Sequence, residues 1–167
     1  MIVMNLQALE QTAGRFVIGI GDHHVGSDPM TSIGLGSCVA LVLHDEDRMI
    51  GGMAHVMLPA SNGRQDRPGK FADTAIVVLR EELRLRGCRN GSVVAKLVGG
   101  ASMFKDFSGN LNIGERNLES LRSLALKHHL AIRAEETGGT FGRSLTYYPA
   151  DHGRVSVRRA DGKCFDI

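Results

Sequence analysis

The run Val39-Ala40-Leu41-Val42-Leu43 constrains the fold of this chain more than any other segment. It is apolar without interruption, whereas a strand with one wet face alternates, so it reads as a strand buried on both faces. A polar turn, Asp45-Glu46-Asp47-Arg48, follows it, and Met49-Ile50-Gly51-Gly52-Met53-Ala54-His55-Val56-Met57-Leu58 returns as a second strand stopped by Pro59. Two amphipathic helices are expected further on. Phe71, Ala75, Val78, Leu79 and Leu83 recur at three- and four-residue steps ahead of a capping Gly87. Leu118, Leu121 and Leu124 mark a second helix from about Glu115 to His129, with Lys127, His128 and His129 at the negative end of its dipole. Arg15 to Gly21 reads as a strand and then a loop through Pro29, and further short strands are read at 93–98, 130–135, 144–148 and 154–157. Many strands with two helices place the chain in the α+β class.

The length of 167 residues, with no Pro/Ser linker or repeat, fits one domain over 1–167, with 1–14 read as a flexible N-terminal extension. A net charge of +2 argues weakly about partners. Nucleic-acid binding would need a basic stripe interleaved with aromatics, and only Arg154-Val155-Ser156-Val157-Arg158-Arg159 approaches one, so it is not expected. Cys38, Cys88 and Cys164 are odd in number and lack paired spacing, which predicts free thiols and a reducing cytoplasm. The chain opens without a basic signal region, and no run nears the roughly 18 apolar residues of a membrane span. Glycine is the unusual count, at 21, nearly twice its typical share of about 7%.

Two of those glycines precede a cysteine in Thr31-Ser32-Ile33-Gly34-Leu35-Gly36-Ser37-Cys38. They permit backbone conformations that bring N–H groups close to a ligand and leave the thiol accessible. A cysteine nucleophile needs a base and oxyanion donors, and His55 is the candidate base. With the hairpin turn centred between Glu46 and Asp47, paired residue numbers sum to 93 and Cys38 faces His55. Ordinary packing competes with this reading, since cysteines that open apolar strands and histidines between Ala54 and Val56 are usually core residues. Cys88 and Cys164 read as packing or surface residues. Gly34-x-Gly36 lacks a third glycine and precedes a strand, which argues against nucleotide binding. The pairs His23-His24 and His128-His129 lack ligand spacing, so no metal is expected. Gly99-Gly100 and Gly138-Gly139-Thr140-Phe141-Gly142 read as turns that could gather around the Cys38 loop, with Thr137 and Thr140 as added donors.

The blocks Ile33-Gly34-Leu35-Gly36-Ser37-Cys38-Val39-Ala40 and Gly51-Gly52-Met53-Ala54-His55-Val56-Met57-Leu58-Pro59 resemble the core of the CheD family of chemoreceptor glutamine deamidases. The similarity continues through Phe71–Ile76, Lys96–Phe104, Ile113–Asn117 and Gly138–Arg143, spanning about 15–158. The resemblance implies layered β-sheets packed together and flanked by helices (α/β/β/α). It also implies hydrolysis of glutamine side-chain amides on methyl-accepting chemotaxis receptors without any cofactor. Cys38 matches the family's nucleophile and His55 its base; where the family usually has threonine, this chain has Ser32, with Thr31 beside it. Gly36, Ser37 and Thr140 are the candidate oxyanion or substrate-binding residues. A CheC-type phosphatase is the implied second partner, and membranes are met only through the receptors. Hydrolysis of glutamate methyl esters is an expected side activity, and a non-catalytic regulatory module for CheC and the receptors is the alternative function.

Overall fold

The computed structural model describes residues 14–102 and 112–167; the expected extension at 1–14 therefore lies, apart from Gly14, outside the described residues. Ten strands and two α-helices follow in the order β1 (Phe16–Val17), β2 (His23–Gly26), β3 (Met30–Leu35), β4 (Val39–Asp45), β5 (Ile50–Val56), α1 (Ala72–Leu85), β6 (Val93–Gly99), α2 (Ile113–Lys127), β7 (Ala131–Thr137), β8 (Arg143–Tyr148), β9 (Arg154–Arg159) and β10 (Cys164–Asp166). They form two five-stranded sheets, β1-β3-β8-β9-β10 and β2-β5-β4-β6-β7.

The expected doubly buried strand is β4, all seven residues of which are buried. Its alternate side chains serve two cores. Val39, Leu41 and Leu43 join Ala75, Ile76 and Leu79 of α1 and Leu118 and Leu121 of α2. Ala40 and Val42, with Met53 and Val98, meet Met30, Leu35, Leu145, Tyr147, Val155 and Val157 of the other sheet. Helices therefore cover one face of the β4 sheet and the second sheet covers the other, a layered α+β arrangement. Leu118, Leu121 and Ala125 form a buried stripe at helical spacing on α2, whose first turn is capped by Asn112 accepting from the Glu115 N–H. No described helix is long and apolar enough to cross a membrane.

Three strands depart from the sequence expectation. The segment after Gly21 pairs as β2 against β5 where a loop was expected. Met30–Leu35, beyond that loop and not read as a strand, pairs with β8, and Cys164–Asp166 adds an edge strand on β9. A bulge in β3, between the Ser32–Leu145 and Leu35–Arg143 pairs, inserts one extra residue. Gly34 absorbs it with φ 72°. Ser32 and Leu35 both turn inward as a result, while Ile33 and Gly34 face out.

The β4–β5 hairpin also corrects the expected register. His55 pairs with Ala40 and Asp45 with Ile50, so paired numbers sum to 95 and Cys38 is not directly opposite His55. The cause is the turn. The Asp45 carboxylate accepts from the Asp47 and Arg48 N–H groups at 2.8 and 3.0 Å, and Met49 takes φ 55°, which fixes the loop one residue later than the charged run suggests. Pairing runs unbroken through Gly51 and Gly52.

Candidate active site

The bulged strand β3 places Ser32 at the seam between the sheets, fully buried. Its Oγ donates to the Ile18 carbonyl at 2.8 Å and lies 2.8 Å from His55 Nδ1 on β5. A hydroxyl has one proton, and an oxygen–oxygen contact with a carbonyl must use it. Nδ1 therefore carries a hydrogen and donates to Ser32 Oγ, which leaves Nε2 with a lone pair. His55 is 1% exposed, and its Nε2 has no hydrogen-bond partner among the described residues. Burial lowers the imidazole pKa, opposed by the Ile18 carbonyl and by the charge of Asp22. The ring is thus held neutral, in one tautomer, with its basic nitrogen unspent. Thr31 points elsewhere, its hydroxyl 3.0 Å from that of Thr146.

Cys38 stands one residue ahead of β4, half-buried. The shift of register is by two residues, an even number, so Cys38 keeps the face it shares with Ala40 and His55. The thiol accordingly packs against the core between the sheets, in the diagonal relation to His55 in which Cβ atoms are about 7 Å apart or less. No hydrogen bond joins the two side chains among the described residues. Burial raises the Cys38 pKa. The resting pair is a neutral thiol beside a neutral imidazole.

The loop ahead of Cys38 is fastened at each carbonyl. Gly36 O accepts from the Ala101 N–H and Cys38 O from the Gly100 N–H, both at 2.9 Å. Ser37 O accepts from Asn117 Nδ2 at 3.0 Å. Gly138 N–H donates to Gly99 O at 3.0 Å and Ser102 N–H to Gly139 O at 2.9 Å. The glycine turns expected to gather around this loop do so. Gly99, at φ 117°, is required here: a Cβ would sit 2.3 Å from the Cys38 carbonyl oxygen. Ser37 is exposed and Gly36 half-buried. Thr140 is half-buried in the adjoining turn, with no hydrogen bond from its hydroxyl to Cys38 or His55 among the described residues. Thr137 Oγ1 is taken by Arg122 at 3.3 Å.

Three other histidines are engaged elsewhere. His23 Nε2 lies 2.9 Å from Glu82 Oε1, His24 stacks on Phe16 at 3.7 Å, and His128 Nδ1 accepts from Arg80 at 2.6 Å. Cys88 is buried, its thiol pKa pushed up to about 12 by burial, by its hydrogen bond to the Asp45 carboxylate and by that charge, and Cys164 is exposed. Sequence reasoning passed over Asn117. Its signal is a polar residue on the buried stripe of α2, beside Leu118 and one turn before Leu121.

Fold and site together define a two-sheet α+β domain that carries a thiol, an imidazole and a hydroxyl where its sheets meet. The family model described as CheD chemotactic sensory transduction matches residues 57–159. The chemoreceptor glutamine deamidase CheD of Thermotoga maritima is 44% identical over 148 residues, 87% of this chain and 92% of that protein. A probable chemoreceptor glutamine deamidase CheD of Caldanaerobacter subterraneus is 42% identical over 147 residues, 84% of this chain and 90% of that protein. One of the same name from Archaeoglobus fulgidus is 37% identical over 148 residues, covering 87% and 94%. This chain belongs to the CheD family.

Proposed function

We propose that this protein hydrolyses glutamine side-chain amides of methyl-accepting chemotaxis receptors to glutamate, with Cys38 as nucleophile, His55 as base and Ser32 orienting the imidazole. The observation that carries the reading is the Ser32–His55 contact of 2.8 Å, which fixes Nδ1–H and leaves a buried, unpartnered Nε2 on the face of the sheet that Cys38 shares. His55 Nε2 takes the thiol proton as sulfur attacks the carboxamide carbon, and the C=O electrons move to oxygen. Backbone N–H groups of the Gly36–Cys38 loop hold that oxyanion. Collapse breaks the C–N bond, and His55 returns its proton to the departing ammonia. Water then adds to the thioester, giving a proton to His55; the C–S bond breaks, glutamate leaves, and the sulfur recovers a proton. Glutamate methyl esters present the same carbonyl with a better leaving group and form a secondary substrate class. As part of the same proposal, the protein works in the cytoplasm and binds a CheC-type phosphatase, the partner that the family resemblance supplies.

Mass spectrometry of a cognate receptor cytoplasmic fragment tests the reading. Incubation with the wild-type protein converts particular glutamines to glutamates, and Cys38→Ala does so no faster than buffer. Conversion by Cys38→Ala would remove Cys38 from its role; none by the wild type would favour a regulatory binding module.

A further inference from the structure

Asn117 is fully buried on α2, and its single side-chain amide grips two segments. Nδ2 donates at 3.0 Å to the carbonyl of Ser37, immediately before the thiol, and at 3.0 Å to the carbonyl of Met57, two residues past the imidazole. Both amide hydrogens are thereby used, while Oδ1 is buried with no partner among the described residues. A buried carbonyl left unpaired is costly, so this side chain is held in place for what its donors do.

The Ser37 carbonyl and the Cys38 N–H belong to one peptide group. Peptide groups are planar, and the described chain has no cis bond, so that C=O and N–H point in opposite directions. Drawing the carbonyl toward α2 turns the Cys38 N–H away from the helix, and that N–H donates to no backbone carbonyl among the described residues. We infer that Asn117 is a positioning residue: by fixing the 37–38 peptide plane against the end of β5, it aims the Cys38 N–H at the oxyanion formed when Cys38 attacks. The inference rests on the reading of Cys38 as nucleophile. Such a role acts on the transition state, where an oxyanion donor is worth about 10² to 10³ in kcat, and leaves the thiol's intrinsic reactivity alone.

Asn117→Leu keeps the branched shape and approximate volume and removes both donors. Measured on the full chain with a receptor fragment, it should lower kcat by about 30-fold or more with KM within about threefold, part of the range for losing one donor. Alkylation of Cys38 by iodoacetamide, which needs no oxyanion donor, should stay within about twofold of the wild type. If Asn117→Leu does not melt cooperatively, Asn117→Ser, too short to reach both carbonyls, takes its place in the same assay. A folded variant with unchanged kcat overturns the assignment, as does a parallel loss of kcat and alkylation rate, which would make Asn117 a general support of the loop. Cys38→Ala, assayed alongside, separates the two proposals: its retaining activity would overturn the nucleophile and the donor together, whereas its inactivity beside a fully active Asn117 variant overturns the donor alone.

Discussion

Ser32 spends its one proton on the Ile18 carbonyl and offers its lone pairs to His55 Nδ1. Removing that oxygen leaves the ring N–H and the Ile18 carbonyl only their long contact of 3.4 Å with each other and frees the imidazole to turn or change tautomer. Ser32→Ala should therefore lower kcat on the order of 10²-fold, the weight of a correctly presented general base, with KM little changed. Steady-state kinetics on a receptor fragment checks this, and wild-type kcat in a folded variant would remove Ser32 from the site. Residue type and the glycines beside the thiol single out Cys38 and His55 in the sequence, and family position brings in Ser32 with Thr31 beside it. The choice of Ser32 over Thr31 was not legible there. It rests on the pairing of β3 with β8, which runs in regular register from Met30 to Ser32 and turns Met30 and Ser32 inward with Thr31 on the other face; the partner strand lies far along the chain, where local sequence does not point to it.

At the scale of elements, the glycine turns fasten the Cys38 loop through backbone groups. Gly99→Ala would place a Cβ 2.3 Å from the Cys38 carbonyl oxygen at φ 117°, while Gly138→Ala, at φ 75°, meets nothing within 4 Å. Both carry backbone strain and only the first adds a clash. Gly99→Ala should cost about 2 kcal/mol or more of stability and Gly138→Ala nearer 1. Denaturant melts of the two variants make the comparison, and equal losses would show that the close approach carries no weight. Elements with strong periodicity were legible: β4 from its unbroken apolarity, both helices from their stripes. The strands β2, β3 and β10 were not, because His23-His24-Val25-Gly26 and Cys164-Phe165-Asp166 have too few apolar residues to signal a strand and form by pairing with β5 and β9. The hairpin register failed for a similar reason. Four charged residues in a row mark a turn, and only the carboxylate bonds of Asp45 say where it begins.

Across the whole molecule, burial is the first cause of lowered pKa values at His24, His44, His55 and His128. The unfolded chain, whose histidines titrate near 6.5, then binds protons before the folded one as pH falls. Stability should hold steady between about pH 7 and 8, below the range in which thiols titrate, and decline below pH 6.5 until the folded values are reached, well before most carboxylates titrate. Urea midpoints at pH 7.5 and 5.5 decide it; an equal or higher midpoint at 5.5 would mean that these rings charge freely in the fold.

The site straddles two sheets, with His55 on one and Ser32 on the other. Ser32, Cys38 and His55 lie within one short stretch of sequence, but β3 is held by β8, where Ser32 pairs with Leu145. During synthesis the thiol, imidazole and hydroxyl emerge early, together with β1, which pairs with β3, whereas β8, the other neighbour of β3, comes near the end. A nascent chain thus carries its cysteine for most of translation before Asn117, the Gly138–Gly139 turn and β8, which complete its surroundings, have been made.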